Sequence, residues 1–291
     1  MPIDINNFRI KPDIRINIEK LKTSVEPFYE SKKDYKKLLS ERIEILKTLQ
    51  SKLYAHSRYS ILLIFQAMDA GGKDSAIKHV MSGVNPQGCQ VFSFKEPGNK
   101  ELKHDFLWRS NLCLPERGMI GIFNRSYYEE VLIAKVHPEI LNAQMLPDEI
   151  ANSKDIWKNR YESIKCLESH LYNNGTRVIK FMLNISKQEQ KKRFLSRINN
   201  PKKNWKFSQS DIDERQFWPE YMDAYEKCIN STTSKNAPWY VVPADDKKNA
   251  RLIISEIMIK TLESLDIHYP EPTQKQKDTI INIGKKLKDM E

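Results

Sequence analysis

Gly71, Gly72 and Lys73 stand where an apolar run ends and a helical pattern begins, within Gln66-Ala67-Met68-Asp69-Ala70-Gly71-Gly72-Lys73-Asp74-Ser75. The phosphate-loop pattern G-x-x-x-x-G-K-[ST] belongs in that strand–loop–helix context. Its glycines let backbone N–H groups curl around phosphate oxygens. The helix N-terminus adds partial positive charge, and the lysine reaches the phosphates in transfer. Gly71, Gly72, Lys73, Asp74 and Ser75 are therefore candidate phosphate-binding residues. Two positions depart from the pattern: Ala67 replaces the first glycine and Asp74 the hydroxyl residue. A glycine-rich turn without a ligand is the competing reading. Asp69 and Asp74 weigh against it, because two carboxylates beside a polyphosphate would repel it unless a cation intervenes. Mg²⁺ takes a few carboxylates together with phosphate oxygens and waters. Both aspartates are candidate Mg²⁺ partners, Asp69 foremost. Asp74 also suits the first turn of a helix, where the dipole favours an acid.

A second group follows the apolar run at residues 119–123, as Asn124-Arg125-Ser126-Tyr127-Tyr128-Glu129-Glu130. Arg125 would aim a guanidinium fork at phosphate oxygens. Its alternative is an ion pair with Glu129 or Glu130. Kinases with a phosphate loop often carry an acid where this chain has Asn124, and Glu129, one helical turn beyond Arg125, is a candidate to supply that carboxylate to the metal. The third group is basic: residues 186–206 hold Lys187, Lys191, Lys192, Arg193, Arg197, Lys202, Lys203 and Lys206 against the single acid Glu189. Charge runs are usually solvated faces. This one follows an apolar strand, where such kinases place a lid that closes over the transferring phosphate. Lys202 and Lys203 are candidates to hold the rest of a polyphosphate chain.

These groups need a scaffold, and the hydrophobic pattern supplies one. Apolar runs at 60–65, 89–94, 119–123, 177–183 and 239–242 read as strands, and helical patterns fall at 29–54, 73–83, 100–112, 126–136, 148–173, 187–197, 210–230 and 249–265. The alternation predicts an α/β fold around a parallel, doubly wound sheet. Ligands of such sheets bind outside the carboxyl ends of the strands, which directs attention to the residues after Phe65, Phe123 and Leu183. Residues 1–25 read as an irregular arm and the Lys-rich 270–291 as a loosely packed helix. The expected organisation is one kinase domain over 1–291, with an N-terminal arm at 1–56, a lid at 186–215 and a C-terminal tail at 268–291.

The chain has 291 residues and a formal net charge of +10. The basic excess favours polyanionic partners without distinguishing among them. Cys89, Cys113, Cys166 and Cys228 form no C-x-x-C pair, which fits free thiols better than a disulfide framework or a zinc site. No secretory signal or membrane span is legible, so the expected location is cytoplasmic, with no membrane partner. The six histidines, His79 and His137 among them, are read as structural or surface residues.

Taken together, AMDAGGKDSAIKHV (67–80), VNPQGCQVFSFKEP (84–97), FLWRSNLCLPERGMIGIFNRSYYEEVLIAKVHPE (106–139), KKRFLSRINNPKKNWKFSQSDIDERQFWPEYMDAYE (191–226) and APWYVVPADDKKNARLIISEI (237–257) resemble the polyphosphate kinase type 2 family. The resemblance accounts for Asp74, since that family carries Asp where other phosphate-loop kinases carry Ser or Thr. It implies a five-stranded parallel sheet similar to thymidylate kinase, with a helical lid. It also implies reversible, Mg²⁺-dependent transfer of a terminal phosphate from inorganic polyphosphate to nucleoside mono- or diphosphates. Asp69 and Lys73 then take the loop's magnesium and phosphate roles, Arg125 the arginine after the third strand, and Arg193 and Arg197 the lid arginines. The N-R-S-Y-Y-E form, with Asn124 where many members have Asp, looks like the subgroup that accepts AMP as well as ADP. The family is often oligomeric, which makes a homo-oligomer the expectation. An ATP-dependent nucleotide kinase of thymidylate-kinase type would share Lys73, Arg125 and the lid. A non-catalytic polyanion binder, for nucleic acid or otherwise, would use aromatics such as Trp205 and Phe207 among the basic residues, yet would have no need of Lys73 and paired aspartates. The reading therefore excludes nucleic acid as a partner.

Overall fold

The structure, a computed structural model, describes residues 2–206 and 208–290. In chain order its elements are α1 (Lys32–His56), β1 (Ser60–Gln66), α2 (Lys73–Val80), β2 (Cys89–Ser93), α3 (Trp108–Asn111) and β3 (Ile120–Asn124). Three short helices follow: α4 (Ile133–Val136), α5 (Pro138–Asn142) and α6 (Asp148–Ala151). The remainder are α7 (Ile156–Asn173), β4 (Thr176–Asn184), α8 (Lys187–Ile198), α9 (Gln209–Asp213), α10 (Trp218–Thr232), β5 (Trp239–Pro243), α11 (Lys247–Glu263) and α12 (Gln274–Lys288).

The five strands form one sheet in the order β2-β3-β1-β4-β5, and every pairing is parallel. β1 is buried along its whole length, as a central parallel strand covered on both faces must be. Helices α1 and α2 pack against α11, which lies on β5, and α10 packs against α4 and α7, the latter lying on β4. β1 lies between β3 and β4, with Phe65 level with Asn124 on one side and Phe181 on the other. The loops leaving these three strands therefore open into one crevice at the carboxyl edge.

The five strands and the long helices stand where the apolar pattern puts them. Several expected helices are broken. Residues 100–112 hold only a 3-10 turn at Glu101–Lys103 and the single turn of α3, because the Asp105 carboxylate accepts the Leu107 N–H at 2.9 Å and offers the backbone a turn instead. Residues 126–136 form a 3-10 turn (Tyr127–Val131) and then α4. The 148–173 pattern splits at Ser153, whose hydroxyl accepts the Asp155 N–H at 3.2 Å. The 210–230 pattern becomes α9, a 3-10 turn and α10, since Pro219, at the start of α10, cannot continue a helix arriving from before it.

The first residues do more than the sequence promised. Ile3, Phe8, Ile10 and Ile18 are buried. The Ile10 N–H donates to the Trp239 carbonyl and the Val241 N–H to the Phe8 carbonyl, each at 2.9 Å, so the arm covers the outer edge of β5. Inside the core, Lys180 of β4 donates to Glu168 of α7 at 2.5 Å and to the Thr232 carbonyl at 2.8 Å. The hydroxyls of Tyr127 and Tyr128 donate to the same Glu168 carboxylate at 3.0 and 2.7 Å. This network anchors the segment that leaves β3. No residue of α12 is buried, in keeping with a loosely packed tail.

Candidate functional site

The loop from β1 into α2 has a shape that few sequences tolerate. Ala70 and Gly72 have φ of 58° and 103°, the left-handed region. A Cβ on Gly71 would lie 2.5 Å from the Ala67 Cβ and 2.7 Å from the Met68 carbonyl oxygen, so that position admits only glycine. Ala67 is thus accommodated where the pattern has glycine. The loop leads into α2, whose first N–H groups lack intrahelical partners and face the crevice end of the helix.

Lys73 opens α2 and its Nζ donates to the Ala67 carbonyl at 2.7 Å. Burial pulls its pKa below the usual lysine range and Arg125 adds to that, while Asp69, Glu129 and Asp74 oppose both. The lysine therefore shares one electrostatic neighbourhood with all three candidate metal-binding carboxylates. Arg125 also has a left-handed backbone, φ 63°, and its N–H donates to the Phe65 carbonyl at 3.0 Å. A non-glycine residue held there is a form of local strain that clusters at functional sites. Its Nη2 meets the Asp69 carboxylate at 3.0 Å, so its ion-pair partner is Asp69 rather than Glu129 or Glu130. Glu130 instead pairs with Arg109 at 3.3 Å. Asn124 donates to Asp74 at 2.8 Å, and Gln66 donates to Glu129 at 2.8 Å.

The basic run divides. Arg193 is buried and all its donors end on protein oxygens, two of them loop carbonyls. Arg197 is half-buried, 3.5 Å from Asp211 and over the Phe194 ring. Lys202 and Lys203 are exposed on the 3-10 turn Pro201–Lys206. Trp205 is 77% exposed on the same turn. Phe207, and the side chain of Lys206, lie outside the described residues. The Ser75 hydroxyl accepts from Arg251 at 2.7 Å, and the His79 ring meets the Ser75 carbonyl at 2.8 Å. His137 bridges Glu139 and Glu214.

Sequence reasoning missed several neighbours. Gln66 orients Glu129 from the last position of β1. Asp211 has its pKa raised by burial and by Asp69, against Arg197, Arg125 and Lys73, and so faces the same crevice. Lys247 follows β5, and partial burial with Arg193, Lys203 and Arg251 pulls its pKa down to about 8, against Glu189. The rule that sends ligands to the carboxyl ends of strands also covers β5, and extending it past Val242 would have found this residue.

Among the described residues no group of three or more His, Cys, Asp or Glu side chains is arranged to hold a metal. The carboxylates at the crevice are instead spread around Lys73 and Arg125. Mg²⁺ is commonly held by one or two carboxylates with substrate phosphates and waters completing the shell, which requires no cluster of three protein ligands.

A profile described as Polyphosphate kinase 2 (PPK2) matches residues 29–270. The chain belongs to the polyphosphate kinase 2 family. It is 55% identical over 287 residues to the ADP-polyphosphate phosphotransferase of Rhodopseudomonas palustris, covering 99% of each chain. It is 37% identical over 281 residues to the AMP/ADP-polyphosphate phosphotransferase of Meiothermus ruber, covering 95% of this chain and all of that one (100%). Its fold is similar to the crystal structure of polyphosphate kinase 2 from Arthrobacter aurescens TC1, with TM-score 0.83 and 36% identity over 94% of this chain and 95% of that one. Membership in the polyphosphate kinase 2 family makes the chain a phosphotransferase with the α/β fold of phosphate-loop kinases. Among the described residues no helix is long and apolar enough to cross a membrane.

Proposed function

We propose that this chain transfers the terminal phosphoryl group of inorganic polyphosphate to nucleoside mono- and diphosphates, AMP and ADP among them, reversibly and with Mg²⁺. The observation that carries the reading is the meeting of Lys73 and Arg125 around Asp69 at the carboxyl ends of β1 and β3, in a chain of this family. Phosphoryl transfer asks little covalent chemistry of a protein: it needs in-line positioning and cations on the equatorial oxygens. Lys73 would leave the Ala67 carbonyl for the transferring phosphate, and Arg125 would exchange Asp69 for phosphate oxygens. The loop and the start of α2 supply N–H donors to the donor chain, with Gly71, Gly72, Asp74 and Ser75 shaping that end. Arg197 approaches from the lid, and Lys202 and Lys203 follow the chain outward. Asp69, with Asp74 and Glu129, would hold Mg²⁺, which neutralises phosphate charge when bound. No protein nucleophile is required.

The relatives' names bear on the acceptor. The 55% relative is named for ADP and the 37% relative for AMP and ADP. We assign both acceptors to this chain, because Asn124 leaves the crevice one carboxylate short while holding Asp74 in place. We also infer a cytoplasmic homo-oligomer built from one kinase domain, without nucleic-acid or membrane partners. The described cysteines are free thiols, which supports a reducing compartment. The test is to incubate the protein and Mg²⁺ with AMP, ADP or GDP, using polyphosphate and then ATP as donor, and to resolve the products. Product from polyphosphate with AMP and with ADP is expected. Product from ATP but not polyphosphate would replace the reading with an ATP-dependent nucleotide kinase. No product from either donor, with polyphosphate still bound, would leave a polyanion binder.

A further inference from the structure

Arg193 lies on α8, 5% exposed, beneath the loop that the family resemblance would have it close over. A guanidinium has five N–H donors. Here Nε donates to Glu189 at 2.8 Å, and Nη1 to the Ala70 and Gly71 carbonyls at 3.1 and 2.8 Å. Nη2 donates to the carbonyls of Ala244 and Asp245. All five donors have acceptors, so none remains for a phosphate. The two loop carbonyls belong to the residues whose backbone is most constrained: Ala70 at φ 58°, and Gly71, which cannot carry a Cβ. Turning these carbonyls toward Arg193 directs the N–H of Gly72, the partner of the Gly71 carbonyl in its planar peptide, the opposite way.

The other half of the clamp is itself fixed. The Ser186 N–H donates to the Asp245 carboxylate at 2.8 Å. The Asp245 N–H donates to the Thr23 carbonyl at 3.0 Å, so the N-terminal arm holds the turn after β5 from outside. Gln190, one turn before Arg193 on α8, donates to the Asp69 carbonyl at 2.9 Å and adds a further tie to the loop.

We propose that Arg193 is a positioning residue, which acts by bracing the phosphate loop against the turn after β5, and not a lid arginine that touches the transferring phosphate. The inference rests on the phosphate site proposed above. A lysine cannot replace it, since one ammonium cannot span carbonyls on two separate loops.

The test compares full-length wild type with Arg193→Lys and Glu189→Ala. Hydrogen exchange of the peptide covering residues 67–73 is read without substrate, and kcat and the polyphosphate KM are read at low and high salt. Arg193→Lys is expected to speed exchange in the loop and to lower kcat about 100-fold, as small misplacements of catalytic groups do. The polyphosphate KM should change less than about 3-fold and keep its salt dependence, because no chain contact is lost. Unchanged loop exchange with a higher KM and a flatter salt dependence would overturn the proposal, since Arg193 would then hold the chain itself. Faster exchange with full kcat would overturn it too. Should Arg193→Lys not fold, Glu189→Ala decides: it keeps the charge and the four carbonyl bonds but frees Nε. A loss of a few fold in kcat with faster loop exchange supports the clamp, and no change in either sinks it. An error in the phosphate site itself would show separately, as a Lys73→Ala enzyme with full kcat beside an Arg193→Lys loop that still exchanges faster.

Discussion

Lys73 and Arg125 share one neighbourhood, each placed there by a backbone constraint: the glycine loop for the first and a left-handed φ of 63° for the second. Two cations that repel each other in this way are compensated by the carboxylates of Asp69, Glu129 and Asp74 around them. Lys73→Ala should lower kcat by at least about 100-fold, the scale for losing a transition-state cation, with the circular dichroism spectrum unchanged. Asn124→Asp would set a carboxylate against Asp74 where a 2.8 Å hydrogen bond now lies. Initial rates with AMP should then fall more than with ADP, and the magnesium requirement should rise for both. AMP rates matching wild type would remove Asn124 from acceptor selection. Lys247, with its pKa pulled down to about 8, should lose its charge as pH rises through that value. The Lys247 side chain followed by NMR should titrate with a midpoint near 8, and a midpoint in the ordinary lysine range would overturn that reading. Lys73, Asp69 and Arg125 were legible because a motif and a strand end mark them. Asp211 carries no motif, and only the fold turns it toward the crevice.

At the scale of elements, the basic run from 186 to 206 is two structures with different tasks. α8 buries Gln190, Arg193 and Phe194 against the body of the protein, while the turn Pro201–Lys206 carries Lys202 and Lys203 in solvent. Charge in the sequence alone does not separate them, since burial is a property of packing. Replacing Lys202 and Lys203 together by Gln should raise the polyphosphate KM and lessen its dependence on salt, because fewer counterions are released on binding. The nucleotide KM should keep its salt response. An unchanged polyphosphate KM would mean that this turn is only a solvated surface. The broken helices belong to the same scale. Asp105, Ser153 and Pro219 each stop a helix through a local bond or a missing donor, and hydrophobic periodicity does not register such events.

For the whole molecule, the buried network at Glu168 joins β4, α7 and the turn after β3 into one support for Arg125 and Glu129. Lys180→Met would leave the Glu168 carboxylate without its cation in the core, where breaking a buried pair costs about 3–5 kcal/mol. Urea unfolding should show that loss, with a lower midpoint. Adding Glu168→Leu should recover part of it, but not all, because the Tyr127 and Tyr128 hydroxyls would then lose their acceptor. A single variant as stable as wild type would show that the pair contributes nothing net.

The sequence by itself determined the parallel α/β architecture, since strands buried on both faces must be continuous apolar runs and the helices between them must be amphipathic. It also marked the glycine loop after β1, because residue 71 has no room for a Cβ and Lys73 stands at the start of the next helix. The tertiary structure alone decided which charges meet. Asp69 pairs with Arg125 across 56 positions and Arg193 with the Gly71 carbonyl across 122. It also decided that the arm at the N-terminus completes the edge of β5. The reason is physical: burial, ion pairing and backbone strain depend on distances between residues remote in the chain, and those distances exist only after the sheet has brought the ends of β1, β3, β4 and β5 to one edge.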